Sequence, residues 1–194
     1  MTPTPFTGWL PSAAAQRDSG ISRTSLEHLQ RAGIIGQKGS KVHTDDLSML
    51  KKWRETEYIT GKDNIDLTGP IGFAVPITAP DLSPDLELSE TNSAEDAREG
   101  VEEQGITLAP NQFLAGWWSC KREMVEHLLE TRAPLVGVTG GFVTCGAWID
   151  GLALEHPRNL RKAFIATRMT DEEMEDFRGY VPRINQSGVY FKLQ

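Results

Sequence analysis

Apolar and polar positions alternate with helical spacing over residues 21–32, where Ile21, Leu26, Leu29 and Ala32 share one side and Arg23, Thr24, Glu27, His28 and Arg31 the other. Ser22 suits the N-cap of that helix and Gly33 its stop. Ahead of it, Pro11 and Ser12 open a short Ala-rich helix over 13–18, which Ser19-Gly20 breaks. Behind it, Ile34-Ile35 and Lys41-Val42-His43 flank Gly36-Gln37-Lys38-Gly39-Ser40, a pattern that predicts a short hairpin. Thr44-Asp45-Asp46 then start a third helix through Leu47, Leu50 and Trp53, with both acids at the positive end of the helix dipole.

The pattern changes after residue 63. Prolines at 70, 76, 80 and 84 and a run of acids make residues 64–108 an acidic, Pro-containing linker. Within it, 71–78 is apolar enough for a strand packed on one of the domains, and 93–104 reads as a helix capped by Ser93. From 109 onward short strands dominate, at 113–118, 134–139, 142–149, 160–169 and 189–193. Gly140-Gly141 and Asp150-Gly151 read as turns. One helix follows Ser119 with Met124, Val125, Leu128 and Leu129 on its buried side, and Thr170-x-x-Glu173 is a capping box for a second over 171–178. The expected fold class is α+β. It comprises an N-terminal helical domain over 1–63, the linker over 64–108, and a C-terminal domain over 109–194, a small mixed β-sheet or barrel with two helices.

The N-terminal order of elements is that of a winged helix-turn-helix, a unit that usually touches DNA. Arg, Thr and His on the outward side of the second helix suit base edges and phosphates, whereas Glu27 repels phosphate unless it reads a cytosine amine. The expected DNA-binding residues are Arg23, Thr24, His28 and Arg31 on the helix and Lys38, Ser40 and Lys41 on the wing. The run from Leu10 to Leu50, with its "GIS-x-T-S-L" helix start, its "A-G-I-I" exit and its "T-D-D-L" helix, resembles the winged helix of the MerR and excisionase-like proteins. The resemblance spans roughly residues 8–55 and implies a DNA-binding regulator. It departs from the family in the wing, where Ser40-Lys41-Val42-His43 stands in place of an Arg-Tyr or Arg-Arg pair.

The C-terminal part is similar to PUA-like domains at Gly116, Trp118, Val138, Gly141, Val143, Gly146, Ile149, Gly151, Arg161 and Phe164. That resemblance implies RNA binding or capture of a modified or flipped base between aromatic walls. The candidate pocket is Trp117, Trp118, Phe142 and Trp148, with Thr139 for the polar edge of a base and Thr144 and Asn111 as other donors. Successive strand residues face opposite ways, so at most one of Trp117 and Trp118 lines a given pocket.

Charge and cysteine content narrow the classes. The net charge is −7, but residues 1–63 carry nine Lys/Arg against seven Asp/Glu, residues 64–108 one against ten, and residues 109–194 ten of each. Neither end is a strongly basic surface, so any DNA affinity of one copy is modest and salt-sensitive. No apolar run reaches the length of a membrane span, and Cys120 and Cys145 read as reduced thiols of a cytoplasmic protein. Cys120 and His127 lie seven apart without an orienting acid, and the acids at 171–176 ring a short helix. No catalytic residue, metal site or cofactor is expected. The expected function is regulation of transcription or recombination, of the kind found on mobile elements. The expected partners are double-stranded DNA and a second copy of the chain, with no membrane. Two alternatives stand beside it: a nucleic-acid reader using the C-terminal aromatic pocket, and an adaptor whose winged helix binds a protein instead of DNA.

Overall fold

The computed structural model describes residues 8–61, 70–77, 105–155, 161–182, 184 and 188–193, with the side chain of Trp117 left out. The expected helix at 93–104 lies outside the described residues. Among the described residues the fold is mixed α+β, with five helices, a two-stranded ribbon and a seven-stranded sheet. None of these helices is long and apolar enough to cross a membrane.

The N-terminal helical unit begins with strand β1 (Trp9–Pro11), helix α1 (Ser12–Ser19) and helix α2 (Arg23–Arg31). Gly20 ends α1 in the left-handed region at φ 67°. The Ser22 hydroxyl accepts from the Ser25 amide and starts α2. Strand β2 (Lys41–His43) and helix α3 (Thr44–Glu55) complete the unit. Residues 34–35 do not form the expected strand. The Ile34 amide donates to the Leu29 carbonyl at 3.0 Å, which folds the chain back over the end of α2 and takes that amide out of any ladder. The partner of β2 is instead β1, antiparallel, with Trp9 opposite His43 and Pro11 opposite Lys41. Ala15, Ile21, Leu26, Leu29, Ile35, Val42, Leu47 and Leu50 form the core of this unit.

The sheet starts with β3 (Thr60–Gly61) and β4 (Ile71–Pro76), continues with β5 (Gln112–Ser119), β6 (Pro134–Thr139), β7 (Phe142–Glu155) and β8 (Arg161–Arg168), and ends with β9 (Val189–Lys192). Its order is β3-β9-β4-β6-β7-β8-β5; β4 and β6 run parallel and every other pair antiparallel. Strands ahead of residue 109 therefore build the same sheet as those after it, and the apolar run in the linker is one of its central strands. Ile71, Phe73 and Val75 of β4 pack on one face and Ala74 on the other, as strand alternation dictates. Helix α4 (Arg122–Glu130) covers the first face through Met124, Val125 and Leu128; helix α5 (Asp171–Phe177) covers the second through Met174.

The sheet curls. Tyr190 on β9 hydrogen-bonds Cys120, which directly follows β5, although four strands separate β9 from β5 in the sheet order. Two local expectations are corrected. Ser119 ends β5 opposite Arg161 and does not cap α4, whose N-cap is Lys121. Asp150-Gly151 is not a turn: β7 runs through it, and the register shift between Ile149 and Gly151 marks a bulge. Arg132 Nε, Gln112 Nε2 and Thr167 Oγ1 donate to the Asp150 carboxylate at 2.9, 2.9 and 2.5 Å and hold that bulge. The capping box at Thr170 and Glu173 forms as the spacing predicts.

Candidate nucleic-acid interface

Helix α2 is oriented by its buried side. Leu26 and Leu29 are sealed in the core, so Arg23, Thr24, His28 and Arg31 stand exposed on the opposite side. Gln30, at the edge of the buried side, reaches the following turn. Its Nε2 donates to the carbonyl of Lys41 at 2.8 Å and to that of Gly36 at 3.4 Å. Asp46 Oδ2 accepts from the Gly36 amide at 2.9 Å, and Ser12 donates through its amide and hydroxyl to the Ser40 carbonyl. The turn that displays Lys38, Ser40 and Lys41 to solvent is thereby fastened to α1, α2 and α3 at once. The seven residues expected on a DNA-facing surface are all exposed and belong to two elements joined by Gln30.

Three contributors to this region carry weaker sequence signals. Gln30 looks like one more polar helix residue, and only its place at i+4 from Leu26, next to the last residue of α2, hints that it faces inward. Trp9 is exposed on the outer face of the ribbon, where it packs edge-on against His43 at 5.2 Å. Glu27 bridges both arginines of α2: its carboxylate lies 2.8 Å from Arg23 and 3.8 Å from Arg31.

The other end of α2 meets the sheet body. A Cβ on Gly140 would stand 2.7 Å from the Ser25 carbonyl, so the β6–β7 turn lies directly against the first turn of the helix. Phe142, wholly buried, belongs to the core of the helical unit, 6.5 Å from Trp53 and 5.3 Å from Tyr180. Arg178 stacks on Trp53 at 4.8 Å, and Arg54 lies over Tyr180 at 5.6 Å. Backbone bonds between Tyr58 and Tyr180, Thr56 and Tyr180, and Gly141 and Val181 stitch the same seam. A small cleft remains there between Gly20, Ser22, Ser25, Arg54, Phe142 and Tyr180.

The aromatic pocket expected in the C-terminal part is not assembled from the described side chains. Trp118 packs against the cluster under α4, Trp148 against the cluster on the opposite face of the sheet, and Phe142 inside the helical unit. Trp148 Nε1 donates to Glu173 at 2.9 Å, and the Trp148 ring meets Phe177 edge-on at 5.5 Å. Thr139 is buried and bonds Ile77 and Thr144. Asn111 is exposed ahead of β5. Trp117 lies outside the described side chains. The physical reason is strand alternation combined with the curl, which sends neighbouring aromatics into separate layers. Burial pushes the Cys120 thiol up to about 12 against the pull of Tyr190 and Lys162, so at neutral pH it is a protonated packing group.

Glu173 is held below its ordinary value by the Thr170 amide and the Trp148 indole. Asp150 is also held low: burial opposes ionisation, but bonds from Thr167, Gln112 and Arg132 outweigh it. Both carboxylates are occupied with structure. Comparison with protein families, curated proteins and solved structures returns no match to this chain.

Proposed function

We propose that the chain is a DNA-binding regulator of transcription or recombination. In this reading the N-terminal unit is a winged helix-turn-helix of MerR or excisionase-like type, with α2 entering the major groove and the 36–41 turn lying on the backbone. The observation that carries this reading is the joint exposure of Arg23, Thr24, His28 and Arg31 on one side of α2, beside a turn bearing Lys38 and Lys41 that Gln30 holds in place. The guanidinium groups suit guanine edges and phosphates, Thr and His suit either, and the lysines suit phosphates. Four cations support only a few phosphate contacts, so a tight complex calls for two copies on a repeated or palindromic site. The curled sheet with α4 across it supports a PUA-like body that dimerises or holds a second partner. Base capture there is not favoured, because Trp118, Phe142 and Trp148 lie in separate clusters.

The test is a fluorescence-anisotropy titration of the full chain with labelled duplex DNA at two salt concentrations. The logarithm of affinity falls with the logarithm of salt at a slope near −0.9 per phosphate contact. Arg23→Ala with Arg31→Ala lowers affinity at least ~10-fold and makes the slope shallower by up to ~2. Equal binding by parent and double variant rejects the reading. It then favours the adaptor, which one observation already supports: Glu27 offsets part of the positive charge of α2.

A further inference from the structure

Glu27 occupies the centre of the outward side of α2, one helical turn from Arg23 and one from Arg31. Its Oε1 accepts from Arg23 Nε at 2.8 Å, and its Oε2 lies 3.8 Å from an Arg31 guanidinium nitrogen. Both arginine side chains are 69% exposed and that of Glu27 is 38% exposed. Exposed pairs at this spacing add little to stability. The helix has its Ser22 cap and its buried leucines without them. The arrangement therefore matters chiefly to whatever α2 meets.

A phosphate backbone approaching this side meets two cations already paired with an anion. The arginines must leave Glu27 to reach phosphate, and the carboxylate left behind repels it. The major groove offers a different match. Cytosine presents its N4 amino group as a donor with no acceptor on the same base edge, whereas adenine sets N7 beside its N6 amino group and so opposes a carboxylate. Guanine presents O6 and N7, which suit a guanidinium fork. A carboxylate set between two guanidinium groups thus complements a cytosine amine beside guanine acceptors.

We infer that Glu27 is the specificity-determining residue of α2, screening Arg23 and Arg31 from phosphate in general and accepting a hydrogen bond from a cytosine N4 in the cognate duplex. The inference rests on the DNA-binding reading above. The experiment compares the full chain with Glu27→Gln, which keeps size and helix propensity but removes the charge. The probes are a random-sequence duplex and duplexes selected by the parent from a randomised pool, each with single substitutions. Glu27→Gln should bind the random duplex about 5- to 10-fold more tightly with a steeper salt slope. Its preference for cytosine at one position should fall by roughly 10-fold or more.

If Arg23→Ala with Arg31→Ala loses affinity while Glu27→Gln changes neither affinity nor cytosine preference, this inference is overturned and the DNA-binding reading stands. If the parent binds no duplex, or binds it independently of the arginines, both fall together. Circular dichroism of each variant confirms that α2 is intact.

Discussion

The helical unit and the sheet body handle their polar groups in opposite ways. On the helical unit, Thr24, His28, Lys38 and Lys41 stand exposed, and the only polar side chain turned inward from α2 is Gln30, which anchors a turn. In the body, many polar side chains satisfy one another, although among the described residues Trp118 Nε1 and His127 Nε2 are buried without a hydrogen-bond partner. Asp150 gathers Arg132, Gln112 and Thr167; Thr139 meets Thr144; Trp148 meets Glu173; the buried Lys162 meets Glu155 at 2.8 Å. A group already bonded within the protein has less to offer a ligand. On the proposed function, the difference favours recognition by the exposed Thr24, His28, Lys38 and Lys41 of the helical unit, with Arg23 and Arg31 held by Glu27, and mechanical support by the body. The two regions also depend on each other, because the helical unit has a small core and completes it with Phe142 from β7.

That dependence gives the largest expected effect. Phe142→Ala opens a hole in the core of the helical unit from a strand of the body, and should destabilise the protein by about 3–5 kcal/mol. Chemical denaturation read by both far-UV signal and tryptophan fluorescence should show both regions weakening in one transition. A loss confined to the sheet signal breaks the idea of a shared core.

Gly140 and Gly39 sharpen the same point. Both have φ 61°, so alanine at either meets the left-handed penalty of about 1–2 kcal/mol. Only at Gly140 does the added methyl meet backbone, at 2.7 Å from the Ser25 carbonyl. Gly140→Ala should therefore exceed Gly39→Ala by roughly 1–3 kcal/mol and also weaken DNA binding, since it displaces α2. Equal destabilisation would mean that α2 yields freely at its contact with the body.

Gln30→Ala leaves the Lys41 and Gly36 carbonyls without their side-chain donor and should cost about 1–2 kcal/mol in denaturation experiments. The smallest effect belongs to Asp150 and acid. Its folded pKa lies below the ordinary value near 3.9, so its ionised form contributes stability above that value. The contribution is lost as pH falls through the lower, folded pKa. Asp150→Asn should accordingly be less stable than the parent at pH 6, with the gap narrowing as pH falls below the ordinary carboxylate value. A gap that is constant with pH would assign its role to shape alone.

Much of the helical unit is legible in the sequence because its signals are local. The Ser22 cap, the left-handed Gly20 and Gly33, and the spacing of Leu26 and Leu29 each act within a few residues. Partnership over distance is less visible. The pairing of β2 with β1 instead of 34–35 depends on an amide captured at the end of α2, and the burial of Phe142 depends on helices roughly a hundred residues earlier in the chain. The body shows the same division. Its strands and the Thr170 capping box follow from pattern, while the place of Ile71–Pro76 inside the sheet and the bulge at Asp150 follow from tertiary contacts. The exposed cations could be named from sequence, but the Glu27 bridge between them needed side-chain geometry.

The central claim, that recognition belongs to α2 and its neighbouring turn, is tested most directly by NMR mapping of the full isotope-labelled chain with duplex DNA. The account predicts amide shift changes concentrated at residues 22–31 and 36–41, fading at higher salt, with β4, β6 and β8 unmoved. Shifts centred on the sheet body, or none on α2 at saturating duplex, would contradict it.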